Sequence, residues 1–186
     1  MPETKIKGTA FINRYDYLQQ THGEETLSRV LARLSEADAK TLRLPNAAEW
    51  YPMETVLRVD DAIVAEVFGG DESRMAEIGE LTLMNSLTRF YRFLFRVLNT
   101  DTMLKNGVAA FRKSVSEGAP TFEIKGTGDL IVRYEGFDPH QRSYCHFLRG
   151  ALVGVLKACG TNSHSVEEVG CRLKGDAACA FRVRWT

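Results

Sequence analysis

At Glu117-Gly118-Ala119-Pro120 the hydrophobic period of this chain changes, and no other feature limits its possible folds as much. Before that point apolar residues recur every three or four positions, the spacing of one helix face; Leu27, Val30, Leu31 and Leu34 are one such set. After it, Phe122 and Ile124, then Leu130, Val132 and Tyr134, alternate with polar residues around Gly126-Thr127-Gly128, which reads as a β-hairpin. A helical set follows: Tyr144, Leu148, Leu152, Val155 and Cys159, stopped by Gly160. Asp138-Pro139 is expected to start that helix, as cap and first-turn proline. Gly150 and Gly154 on it let another backbone come close. Two strands, about 164–173 and 178–185, complete the chain. The expectation is an α+β fold, with a helical N-terminal two-thirds followed by β-β-α-β-β forming an antiparallel sheet packed on helices. The whole chain, 1–186, reads as one domain, mainly helical over 1–119 and β-β-α-β-β over 120–186.

Within the helical part, Lys5 to Ile12 alternates and reads as an edge strand or an extended lead-in. Ser35 with Asp38 predicts an N-cap and an acidic first turn, and Pro45 ends that helix. Trp50-Tyr51-Pro52 leads into a helix from Met53 to Phe68, stopped by Gly69-Gly70. Asp71 restarts the pattern. Met84, Leu87, Tyr91, Leu94 and Leu98 then make an apolar stripe, with Arg89, Arg92 and Arg96 on another face. Asp101 caps a further helix through Ser116.

With 24 Lys+Arg against 24 Asp+Glu the formal net charge is zero, so nucleic-acid binding through general positive charge is not expected. No membrane span is expected either. The most apolar stretch, 90–98, is broken by Arg92 and Arg96, far short of the roughly 18 uninterrupted apolar residues a span needs. The first residues lack the apolar core of a secretory signal, which points to a cytoplasmic protein with reduced thiols.

All four cysteines, Cys145, Cys159, Cys171 and Cys179, lie in the last 42 residues. A three-residue loop Lys174-Gly175-Asp176 places Cys171 across from Cys179 on one face of the last hairpin, shared with Phe181, Val183 and Trp185. With Cys145 on the preceding helix, these thiols supply three ligands of a tetrahedral zinc site, and Glu167 is the first choice for the fourth. Glu168 replaces it only if a bulge intervenes. Three sulfurs and a carboxylate would close a structural shell. Free cysteines are also among the most buried residue types, and the spacing alone leaves metal and buried thiols both open.

The run SYCHFLRGALVGVLKACG followed by VEEVGCRLKGDAACAFRVRW resembles the 4-vinyl reductase domain family. The resemblance lies in a Cys, a short Gly-Asp turn, a second Cys, then Phe and alternating apolar residues: Cys171, Gly175-Asp176, Cys179, Phe181 and Val183. With KGTAFI and Trp50-Tyr51-Pro52, the whole length resembles a bacterial family first noted in myxobacteria. Both are similar to one superfamily that includes aromatic-responsive effector domains, TRAPP vesicle-tethering subunits and haem nitric-oxide-binding domains. The resemblance implies a ligand-binding module, often dimeric, with an apolar pocket between helices and sheet. It also implies zinc held by residues resembling Cys145, Cys171, Cys179 and a nearby Glu.

The functional expectation is therefore a non-catalytic module binding an apolar or aromatic small molecule or lipid, acting as a homodimer or through a separate output protein. Trp50, Phe90, Tyr91, Leu94, Phe95, Phe111, Phe122, Tyr134 and Leu148 are the candidate pocket residues. The alternatives are a TRAPP-like interaction scaffold without ligand and a tetrapyrrole-binding 4-vinyl reductase-like protein. No nucleophile elbow, phosphate loop or HExxH helix is present. No nicotinamide or flavin is expected, because their fingerprints are missing. Haem is not expected either: no histidine lies between His22 and His140, and the Tyr-x-Ser-x-Arg signature of haem nitric-oxide sensors is absent.

Overall fold

The computed structural model of the protein describes residues 3–86, 100–136, 141–161 and 163–186. A short strand, β1 (Lys5–Lys7), pairs antiparallel with β2 (Trp50–Pro52). The strand expected to run to Ile12 stops at Gly8, whose carbonyl accepts the N–H groups of Phe11 and Ile12 and opens helix α1 (Thr9–Tyr17). Helical phase wins there because it buries Phe11 and Arg14 completely on one side, with Phe11 edge-on to Tyr51 at 5.1 Å. A π-helical turn, Leu18–His22, runs on from α1, and Gly23 at φ +79° begins α2 (Gly23–Ala32).

Helix α3 (Glu36–Arg43) starts where expected: the Ser35 hydroxyl accepts the Asp38 N–H at 3.1 Å. Helix α4 (Met53–Val67) ends at Phe68 and the positive-φ pair Gly69-Gly70. Asp71 caps a 3₁₀ turn that leads into α5 (Met75–Ser86), and α6 (Thr100–Ser114) follows. Met84 of the expected apolar stripe lies on α5; Leu87, Tyr91, Leu94 and Leu98, with Arg89, Arg92 and Arg96, lie outside the described residues.

The C-terminal third holds β3 (Ala119–Gly126), β4 (Asp129–Glu135), α7 (Arg142–Cys159), β5 (His164–Gly170) and β6 (Cys179–Trp185). The four strands form one antiparallel sheet in the order β3-β4-β6-β5, so the α+β architecture and the β-β-α-β-β order both stand. Asp138 and Pro139 lie outside the described residues; α7 begins at Arg142, with Gln141 extended before it. Leu130, Val132 and Tyr134 of β4 and Cys179, Phe181 and Val183 of β6 face the core. The other sheet face carries ion pairs: Arg182 with Asp129 at 2.6 Å, Arg184 with Glu167 at 3.2 Å.

Two contacts set α7 in place. Its glycines touch α5 backbone to backbone: a Cβ on Gly150 falls 1.9 Å from the Ala76 carbonyl oxygen, and one on Gly154 falls 2.5 Å from that of Glu80. Gly79 of α5 returns the contact, its Cβ position lying 2.0 Å from the Phe147 carbonyl oxygen. On another side, Phe147 lies 4.8 Å from the guanidinium carbon of Arg14. Arg14 in turn holds Asp60 of α4 by two hydrogen bonds, at 2.5 and 2.8 Å, with neither side chain exposed. No helix among the described residues is long and apolar enough to cross a membrane.

Candidate metal centre

Cys145 stands in the first turn of α7, Cys179 opens β6, and Cys171 follows the end of β5. All three are buried, and they form a cluster of their own apart from the main apolar core. The Cys145 and Cys179 sulfurs are 3.7 Å apart, and all three lie within 4.8 Å of one another. Sulfurs held about 2.3 Å from a tetrahedral zinc ion stand about 3.8 Å from each other. The geometry of the thiols therefore fits such an ion.

The loop that brings Cys171 to this place is longer than expected. Residues Arg172–Lys174 make a 3₁₀ turn ended by Gly175 at φ +93°, and the Asp176 carboxylate accepts the Cys171 N–H at 2.7 Å. The last β5–β6 pair is Gly170 with Ala180, so Cys171 sits just beyond the ladder rather than in it. The thiols still share a face, because the pairing shifts between Glu168 and Gly170 and leaves Val169 as a bulge.

That bulge decides which carboxylate is near. Glu167 pairs with Arg182 across the ladder and bonds Arg184 on the outer face, away from the thiols. Glu168 pairs with Phe181, whose side chain is buried, and so points to the cysteine side. Its two oxygens take Arg142 and Lys174, the latter at 2.9 Å. Arg142 also reaches Cys171, with 3.6 Å from Nη1 to Sγ.

The charge environment is mixed. Contact with Cys179 and burial push the Cys145 thiol far above its ordinary value, so it stays protonated without a metal. A bound divalent ion reverses this, since a coordinated thiol gives up its proton. Burial raises Glu168, but Lys174 and Arg142 outweigh it and hold its carboxyl below the usual range.

The candidate pocket residues are placed unevenly. Leu148 and Tyr134 are in the buried core, Tyr134 lying 5.6 Å from the half-buried Phe111 of α6 and 6.2 Å from Phe181. Phe122 packs at the edge of the same core. Trp50 is 39% exposed on β2, with the Lys7 ammonium 4.3 Å from its ring. Phe90, Tyr91, Leu94 and Phe95 lie outside the described residues. An open groove of about 490 Å³ that sequence reasoning missed lies between α3 and α4, bordered by Arg33, Asp38, Arg58 and Asp61. Charged residues at helical spacing give no signal for such a groove.

No family model and no curated protein matches the sequence. Solved structures do match, over nearly the whole chain. An H-NOX protein from S. oneidensis in the Fe(II)NO ligation state is 12% identical, with a TM-score of 0.72 over 97% of this chain and 99% of the other. Unliganded Fe(II) H-NOX from K. algicida is 13% identical, with a TM-score of 0.70 over 97% of each chain. A structure described as probing haem distortion in the H-NOX family is 14% identical, with a TM-score of 0.70 over 97% of this chain and 95% of that one.

The chain thus has the H-NOX fold, and the expectation that haem is foreign to it is corrected. Missing residue types misled that inference: the fold's relatives are described with ligated iron and with haem distortion, whatever the local motifs of this chain. Among the described residues no histidine belongs to the buried core. His22 lies against Tyr17 with ring centroids 5.3 Å apart, His164 is 3.4 Å from the Thr161 hydroxyl, and His146 is half-buried beside Arg142 and Arg149. Haem held in this fold would therefore draw no imidazole from the buried core of the described residues.

Proposed function

We propose that the chain is a non-catalytic sensory module that binds a small apolar or aromatic molecule, a class that includes tetrapyrroles. It reports through its own dimerisation or through a separate output protein. The observation that carries this reading is the likeness to H-NOX structures over 97% of the chain, which takes in helical part and sheet together. Phe111, Phe122 and Tyr134, where α6 meets the β3–β4 hairpin, are the described residues assigned to the ligand side.

The thiol cluster is assigned a separate, structural task. Cys145, Cys171 and Cys179 hold one zinc ion, and Glu168, which shares their side of the sheet but lies outside the 4.8 Å group the thiols form, is preferred to Glu167 as the carboxylate that would complete the shell. What supports this is the 3.7 Å sulfur separation and the side of the sheet to which the bulge turns Glu168. Held by four ligands, the ion ties α7 to the last two strands and leaves no position open for chemistry.

Native mass spectrometry and visible absorption of protein purified from cells test the sensory reading. A non-covalent small molecule on the chain is the expected result, and a strong visible band would identify it as a tetrapyrrole. Bare polypeptide in every preparation, assembled as a dimer, would instead favour an interaction scaffold that works without ligand.

A further inference from the structure

We propose that the loop of residues 44–50, between α3 and β2, is a docking tip for an anionic membrane surface. Leu44 and Trp50 enter the headgroup region, and Lys7, Lys40 and Arg43 meet its negative charge. This stands apart from both the ligand reading and the zinc reading.

Leu44, Ala47, Ala48 and Trp50 are all exposed, and Leu44, at 72%, is the most exposed large apolar residue among those described. Leu44 follows the end of α3 and Trp50 opens β2, so the two stand at the ends of one short loop. Exposed apolar side chains scattered singly are ordinary; several on one short segment mark a contact surface. The polar side chains of the loop are bound to each other and to its base. Glu49, its only acid, accepts the Asn46 side-chain amide at 3.0 Å and the Tyr51 hydroxyl at 3.1 Å, one on each carboxylate oxygen. The loop also rests tightly on the start of α1, where a Cβ on Gly8 would fall 1.9 Å from the Asn46 carbonyl oxygen.

The backbone selects a bilayer over a protein partner. The Leu44 amide donates to the Lys40 carbonyl at 2.9 Å, that of Asn46 to the Tyr51 hydroxyl at 3.2 Å, that of Ala48 to Asn46 Oδ1 at 3.0 Å, and that of Glu49 to the Asn46 carbonyl at 3.1 Å. Pro45 has no amide hydrogen to place. The carbonyls of Ala48 and Glu49 accept the Lys7 ammonium at 2.7 Å and the Gly8 amide at 3.0 Å. A loop in water, or on a partner that supplies hydrogen bonds, has no need of such pairing, whereas a segment entering lipid must satisfy its own backbone.

Charge around the base of the loop suits an anionic surface. Ile6 is buried, so Lys5 and Lys7 on either side of it stand on the outer face of β1. Lys40 and Arg43 are exposed in the last turn of α3. The Lys7 ammonium lies 4.3 Å from the centre of the Trp50 ring, which pairs an aromatic suited to the membrane interface with a cation. Of the neighbouring acids, Glu54 lies close enough to Arg58 to favour its charged form, on the groove side, and Glu3 lies beyond the end of β1 away from Trp50.

The test uses the full chain with vesicles of equal parts phosphatidylcholine and phosphatidylserine, and with vesicles of phosphatidylcholine alone. Co-sedimentation reads binding; in a Trp185→Phe background the fluorescence reports Trp50 alone. The parent should sediment with the anionic vesicles, and the Trp50 emission should move to shorter wavelength. Leu44→Ser and Trp50→Ser should each weaken binding by about 10-fold, with an unchanged thermal melt for Leu44→Ser. Lys40→Gln and Arg43→Gln should each weaken it by about fivefold on the anionic vesicles only, an effect that salt removes. Four results overturn the proposal: no sedimentation of the parent, equal binding to both compositions, binding that leaves the Trp50 emission unmoved, or parental binding by Leu44→Ser and Trp50→Ser. A Trp50 shift that follows protein concentration without vesicles also overturns it, in favour of a second copy of the chain on this loop.

Discussion

Arg14 on α1 and Asp60 on α4 form a two-point ion pair in which neither side chain has any exposed surface. The remaining guanidinium nitrogen, Nη1, donates to the Ala10 carbonyl at 3.0 Å, and Phe147 of α7 covers one side of the pair. Burial pushes the Asp60 carboxyl upward, and Arg14 acts against that. Three helices meet at this one contact.

Removing one partner leaves an uncompensated buried charge, so Arg14→Met or Asp60→Asn should destabilise the fold by about 3–5 kcal/mol. The double variant Arg14→Met/Asp60→Asn should lose less than the sum of the two. Urea unfolding of the four proteins measures this; additive losses would show that the pair is not coupled.

The α5–α7 crossing gives a second prediction. A Cβ at position 150 overlaps the Ala76 carbonyl oxygen, a backbone atom that cannot swing aside. Gly150→Ala should therefore destabilise by about 1–3 kcal/mol, through overpacking that outweighs the gain in helix propensity. A thermal melt unchanged or raised by this substitution would contradict the close approach.

Acid destabilises the fold through the carboxylates held by arginines, which resist protonation until the pH is low. A hydrogen bond from Arg58 is the largest effect on Asp38, and it keeps that carboxyl below the usual value near 3.8. A depressed folded value means the stabilisation is complete above the unfolded value and is lost as pH falls through the folded one. Stability should fall below about pH 4, and Asp38→Asn should flatten the curve in that window. An Asp38→Asn profile parallel to the parent's would show that this pair does not contribute to the acid transition.

Much of the architecture is legible in the residues because local signals agree with the fold. The change of period at Pro120, the Ser35 cap and the Gly69-Gly70 stop each act within a few residues, and each marks an observed boundary. Lys5 to Ile12 is different. Its alternation is compatible with a strand, and only long-range burial of Phe11 and Arg14 selects the helix after Gly8. The π-helical turn at Leu18–His22 has no periodic signature at all.

The thiol cluster was legible for a related reason, and which glutamate faces it was not. Burial of Phe181 and Val183 fixes Cys179 inward, and Cys171 joins that face only in a register that sets it across from Cys179. The choice between Glu167 and Glu168 turns on one extra residue in β5, and no side chain near Val169 announces it. Haem was misjudged from missing motifs, which describe one way of holding a cofactor rather than the fold that surrounds it.

The two glutamates separate cleanly in solution. Glu168→Gln should weaken zinc binding by about 10- to 100-fold, while Glu167→Gln should leave it at the parent's value. Chelator competition reads both. A larger effect from Glu167→Gln would restore the regular-strand register and remove the bulge from the account.

Zinc content measures the central assignment most directly. Elemental analysis of protein purified without chelators should find about one zinc per chain, and Cys171→Ser or Cys179→Ser should remove it along with thermal stability. Protein that carries no zinc, and whose melting temperature neither zinc nor a chelator moves, would contradict the clamp between α7 and the final strands.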